Sequence, residues 1–194
     1  MRYLTADIIY TAFSDPIPNG LLVIDKSGCV QGIYPDCSSF KEKNIEYFKG
    51  ALCPGFINAH CHLELSHMLA KIEQKSGLPS FISQVPDKRQ ATQEQILAAI
   101  DQADHAMIIN GIVGVGDISN LSDTFSTKLN STIQYHTFIE LIGSESIKAE
   151  AVFKNGISLQ EICPRPNSLS PHATYSISES LFEKLAYNNQ GQII

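Results

Sequence analysis

The stretch Pro54-Gly55-Phe56-Ile57-Asn58-Ala59-His60-Cys61-His62-Leu63-Glu64 limits what this chain can become more than any other. An apolar run opened by Pro-Gly ends in two imidazoles one residue apart. In a strand, alternate side chains share a face, so His60 and His62 aim at one point beyond the strand's end. Neutral imidazole is a common ligand for zinc and related metals. A metal bound there lowers the pKa of its water from about 15.7 to about 7, which supplies a nucleophile at neutral pH. The plainer reading of such a pair is two exposed or hydrogen-bonded histidines with no metal. The flanking Phe56, Ile57, Leu63 and Leu65 predict a buried strand, and buried imidazoles need partners. Cys61 is expected on the opposite face, toward a helical layer, as a small buried residue. A structural zinc site from Cys53, Cys61 and His62 lacks the paired spacing that such sites show.

Around that strand the hydrophobic pattern alternates. Residues 3–13 and 20–34 predict strands, with a hairpin turn at Asp25-Lys26-Ser27-Gly28. They form a small β-unit over about residues 1–50, marginal as an isolated sheet. Gly77-Leu78-Pro79 interrupts the chain. Thr92 and Gln95 make a capping-box signature. Ile96, Ile100, Ala103 and Met107 follow at helical spacing, so 92–109 is predicted as an amphipathic helix. Strands are predicted at 112–118 and 132–142, then a helix from Ser146 to Lys154 stopped by Asn155-Gly156. A strand at 168–172 and a helix capped by Ser176-x-x-Glu179 follow. Gly191-Gln192-Ile193-Ile194 reads as the opening of a fifth strand. This alternation implies βα units around a parallel sheet.

Other polar residues fall at strand ends. His172 follows a proline at the end of the fourth strand, where barrel enzymes place functional side chains. Capping the following turn is its plainer role. Glu140 ends the third strand on the face of His136 and Gln134, and Asp117 ends the second. For both, a substrate contact and a structural salt bridge stand side by side. Strand geometry puts Glu64 on the face of His62, within reach of an amino or hydroxyl group of a substrate; a solvated loop carboxylate is the alternative. His67 and His105 look structural, His105 with Asp101 and Asp104 on the wet side of its helix.

Composition narrows the setting. A net charge of −6 without Lys/Arg clusters argues against nucleic acid. No apolar run is long enough for a membrane span, and Met1-Arg2-Tyr3-Leu4 lacks the apolar region of a signal peptide. Cys29, Cys37, Cys53, Cys61 and Cys163 show no C-x-x-C spacing, which predicts reduced thiols and a cytoplasmic protein.

The segment PGFINAHCHLE resembles the first-strand signature of the amidohydrolase superfamily, in its deaminase and chlorohydrolase branch. The Leu-Glu after the second histidine is similar to aminodeoxyfutalosine deaminase-like members. Further pieces agree in order: Leu21-Leu22-Val23-Ile24-Asp25 with the small β-domain before the barrel, Gly111–Asp117 with its second strand, Phe138–Gly143 with its third, and Ser170–Ser178 with its fourth. The resemblance implies an α/β fold, the N-terminal half of a (β/α)8 TIM-type barrel over residues 51–194, preceded by the β-domain. A complete barrel needs about 250 residues, so the chain is expected to stop at the start of strand five.

The resemblance also implies chemistry. One divalent metal, Zn2+ with Fe2+ as the alternative, is held by His60 and His62. A histidine and an aspartate beyond Ile194 complete its ligands, and the catalytic groups lie there too. His172, Glu64 and Glu140 are the implied substrate contacts. The fourth strand offers no lysine of the kind that bridges two metals, which favours deamination of an aminopurine-like or related heterocycle. A two-metal cyclic amidase, a chlorohydrolase and a non-catalytic metal-binding fragment stay open. The 194-residue piece is expected to be inactive alone, and its exposed sheet edge leaves homo-oligomers open. Its implied partner is a small amino-heterocycle, with neither nucleic acid nor membrane.

Overall fold

The computed structural model describes residues 1–75 and 77–188. The chain divides into two compact units, Met1–Gly55 and Phe56–Ile194. The expected fifth strand at Gly191–Ile194 lies outside the described residues.

The first unit is one five-stranded sheet. Its middle strand, β1 (Arg2–Ile9), pairs antiparallel with β2 (Ile17–Pro18) and β3 (Leu21–Ile24), and parallel with β5 (Ile45–Leu52). β4 (Val30–Tyr34) pairs with β3. The hairpin between them closes as expected: Asp25 Oδ1 accepts the N–H groups of Ser27 and Cys29 at 2.8 and 3.0 Å, and Gly28 takes φ +87°. Leu4 and Ala6 are buried on one face of the sheet, and Leu21 and Val23 on the other. The first predicted strand is shorter than expected, because Ala12 has φ +66° and turns the chain after Ile9.

The second unit is a parallel sheet in the order β6 (Phe56–Cys61), β7 (Ile112–Ser119), β8 (Gln134–Leu141), β9 (Asn167–Pro171). Helices α1 (Leu78–Lys88), α2 (Gln93–Ile109), α3 (Phe125–Asn130), α4 (Ala149–Ile162) and α5 (Glu179–Asn188) alternate with the strands. The Thr92 capping box forms, each side chain bonded to the other residue's backbone. Alternate residues of the strands meet the helices. Leu63, Ile100, Val115 and Ile133 form one cluster; Ile139, Leu141, Leu169, Leu181 and Leu185 form a second. The opposite face of the sheet carries Ile57, Ala59, Gly116, His136 and Phe138, and a cavity of about 400 Å3 opens on it. No helix among the described residues is long and apolar enough to cross a membrane.

Several expectations need correction. Phe56 and Ile57 are 57% and 68% exposed, not buried. β6 is an edge of the sheet among the described residues, and Ile57 lies on the open face. The strand also stops sooner: Leu63–Met68 is a 3-10 helix, so strand geometry does not carry Glu64 to the face of His62. α4 runs through Asn155-Gly156. There glycine serves packing, since a Cβ on Gly156 would overlap Leu141 Cδ2. Gly156→Ala is therefore expected to destabilise the protein by about 1–3 kcal/mol through overpacking, read as a lower urea midpoint with an unchanged slope. Ser176 does not cap α5; the carbonyl of Ser178 accepts from Leu181 and Phe182 instead. Asp104 is buried, taking the hydroxyls of Ser131 and Tyr135 at 2.7 Å each. Helices α1 and α3 had no counterpart in the predicted elements.

Candidate functional site

β6 delivers the two histidines through an irregularity. Its register against β7 shifts between Asn58 and Cys61. Asn58 contacts Met107 of α2, and Cys61 packs into the α2-side cluster. The shift leaves His60 and His62 together, ring centroids 5.2 Å apart and edge-on at 62°. His60 is exposed and His62 half-buried. Burial holds the His62 imidazole below its ordinary pKa of 6.5, against the pull of Glu140. A neutral ring is the form that ligates metals.

Glu140 and His172 meet in the same neighbourhood, at the C-terminal ends of β8 and β9. His172 Nε2 stands 3.9 Å from Glu140 Oε1, and the Glu140 side chain is only 9% exposed. Both are placed by their surroundings. The Asn120 side chain donates to the Glu140 carbonyl at 2.9 Å. The His172 N–H donates to the Leu141 carbonyl at 3.2 Å, and its Nδ1 lies 2.7 Å from Ser176 Oγ. That contact turns Nε2 toward Glu140. The charges of Glu140, Asp117, His60 and His172 all bear on the His62 ring.

Glu64 is not among them. Its side chain is 1% exposed. Oε2 accepts the N–H groups of Asn120 and Leu121 at 2.9 and 3.1 Å, and Oε1 accepts from Arg89 at 3.1 Å. Glu64 thus ties the turn after His62 to the loop after β7, and that loop carries Asn120. Burial pushes its carboxyl above the ordinary value of 4.5, opposed by those N–H groups and by Arg89. A carboxyl raised in the folded state favours folding below its unfolded pKa and loses that contribution as pH rises toward the folded value. In Glu64→Gln that loss is absent. The stability of the variant relative to the native protein is therefore expected to improve as pH rises above 4.5, measured by urea unfolding across a pH series.

Asp117 is fully buried and paired with Lys128. His136 bonds Ser168 at 3.0 Å, and burial lowers its pKa. His67 is buried with Nε2 2.8 Å from the Arg89 carbonyl, a structural place as expected. Asn120 and Lys128 went unnoticed in the sequence, and Ser176 was read there only as a helix cap. A hydroxyl four residues after a strand-ending histidine is the only signal that pointed to any of them.

Two imidazoles sharing one face fit part of a metal's coordination. Among the described residues, no group of three or more His, Cys, Asp and Glu side chains is arranged to hold a metal ion. The pair therefore fits as two ligands of a larger set.

No protein-family model matches the chain. The adenosine deaminase of Helicobacter pylori is 30% identical over 142 residues, covering 70% of this chain and 34% of its own length. Among solved structures, H. pylori aminofutalosine deaminase in complex with methylthio-coformycin matches 98% of this chain and 49% of its own, with TM-score 0.77 and 22% identity. Atrazine chlorohydrolase TrzN from Arthrobacter aurescens, complexed with zinc, matches 98% of this chain and 51% of its own, with TM-score 0.74 and 16% identity. The chain thus spans about half the length of these solved structures.

Proposed function

Since this chain belongs to the amidohydrolase superfamily, whose N-terminal part it matches, we propose that it forms the first half of a (β/α)8 barrel in a metal-dependent hydrolytic deaminase. On this reading residues 1–50 form a small β-domain and residues 51–194 the half-barrel. The open face of the β6–β9 sheet is the barrel interior, and the His60 end of β6 is its catalytic mouth, as in other barrels of this kind. The observation that carries the proposal is the convergence of His60 and His62 beside Glu140 and His172.

His60 and His62 hold one divalent metal, with zinc, the ion named for the chlorohydrolase neighbour, ahead of iron. When bound, such an ion acts as a Lewis acid and lowers the pKa of water by several units. The further ligands and the proton-transfer carboxylates are assigned to the part of the relatives that this chain does not match. Glu140 and His172 orient the substrate. Glu140 is an acceptor, and His172 presents Nε2 while Ser176 engages Nδ1. Glu64 is better placed as a positioning residue than as a direct contact, because its oxygens are shut away from the mouth. The substrate class is a small amino-heterocycle of the aminopurine type, in keeping with the names of the relatives. We place the reaction in the cytoplasm, consistent with five free cysteines.

The test is metal analysis of the full-length protein, followed by a panel of amino-heterocycles scored for ammonia. About one zinc or iron per chain and release from a purine-type amine are expected; full occupancy with no ammonia from any heterocycle overturns the deaminase reading. The 194-residue chain is expected to release none under the same assay.

A further inference from the structure

Asp117 and Lys128 stand outside the proposed site, yet their side chains are 0% and 1% exposed. Burying an ion pair strips water from two charges, and apolar packing of the same volume is often as stable or more so. Stability alone does not account for the pair. The bonds of the Asp117 carboxylate offer another reason. Oδ1 accepts the N–H of Leu63 at 2.7 Å. Oδ2 lies 2.6 Å from Lys128 Nζ and 2.9 Å from the Ser119 hydroxyl. Cys61 stands opposite Asp117 in the strand register, and its thiol lies against the same carboxylate. The two residues held, Cys61 and Leu63, are the two neighbours of His62.

His62 itself lies where β6 has ended and the 3-10 helix has not begun, at φ −119° and ψ 73°. Its carbonyl accepts the N–H of Leu65 at 2.9 Å, but it belongs to neither the strand nor the helix, so the direction of its ring depends on what grips the chain on either side. Lys128 holds the grip in place. Its Nζ donates to Ser119 Oγ at 3.1 Å and Thr137 Oγ1 at 2.9 Å, bracing Asp117 against both β7 and β8. We propose that Asp117, braced by Lys128, is a positioning residue that clamps both neighbours of His62 and thereby aims its ring at the point shared with His60. The functional meaning of this clamp rests on the metal-ligand reading above; its geometry does not.

Two charge-free replacements separate the clamp from the ion pair. D117N/K128M keeps a carbonyl oxygen able to accept the Leu63 N–H. D117L/K128M has the same net charge and similar volume with no acceptor. Both are made in the full-length protein and compared with the native form by NMR without metal. The Asn pair is expected to keep Leu63 amide exchange within about 10-fold of native, whereas the Leu pair accelerates it by at least about 100-fold. The His62 ring signals move in the Leu pair alone, and those of His60 do not. Zinc affinity, measured by competition with a chromophoric chelator, stays within about 3-fold for the Asn pair and falls about 10–100-fold for the Leu pair, the range known for residues that orient metal ligands.

Unchanged His62 signals in the Leu pair, or equal changes in both pairs, overturn the proposal. D117A/K128M serves the same comparison if the Leu pair does not fold. Zinc uptake that is absent in the native protein, or undiminished in H60A/H62A, refutes the metal reading instead, and the NMR comparison still decides whether Asp117 positions His62.

Discussion

Lys128→Met is expected to lower the stability of the protein by about 3–5 kcal/mol, the effect of breaking a buried ion pair from one side. The remaining Asp117 carboxylate has 0% exposure and keeps the Leu63 N–H, the Ser119 hydroxyl and the Cys61 thiol beside it. Those dipoles do not replace a cation 2.6 Å away. Lys128 also spreads its charge over the rings of Phe125 and Tyr135, at 5.8 and 5.7 Å from their centroids, so methionine keeps the packing and loses the charge. Adding Asp117→Asn to the same chain is expected to recover most of the loss, because both charges then leave together. Urea unfolding of the single and double variants reads the result. A single variant within about 1 kcal/mol of native would mean that water reaches the pair.

The second large effect is at the mouth. H60A/H62A is expected to retain the fold and lose the metal. In the full-length protein, kcat/KM on the best amino-heterocycle falls at least about a thousandfold, since Lewis-acid activation of water is worth several kcal/mol. Bound metal drops to background in the same preparation. His60 is exposed and His62 half-buried, and alanine keeps both backbones, so the melting temperature of the metal-free protein changes little. A variant that keeps its metal would assign the ligands elsewhere.

What the sequence revealed and what it hid follow from the range of the interactions. The α2 start was legible because Thr92 and Gln95 bond to one another within a single turn. The βα alternation was legible because each strand carries its own period of two. Asn155-Gly156 was misread because the same lack of a Cβ that suits a helix stop also lets Leu141 approach a helix interior, and a distant leucine leaves no mark in the local pattern. Phe56 and Ile57 looked buried because apolar content does not say whether a strand has neighbours on both sides. The pair His60 and His62 was legible from spacing, although the route is a register shift and not plain alternation. Glu64 was misplaced because the strand was extended three residues too far. Lys128 was invisible, since nothing near it in sequence announces a partner on β7.

The arrangement of β1 in the first unit bears on the order in which that sheet can assemble. β3 and β4 are joined by a four-residue turn, Asp25 to Gly28, and such neighbours meet within microseconds. β1 finds β5 only when Tyr3 reaches Ile45, a long loop whose closure slows folding far more than it weakens the result. On a ribosome, that last seam stays open until the whole of β5 has left the exit tunnel, and until then the N-terminal strand shows one bare hydrogen-bonding side to whatever chaperone is nearest.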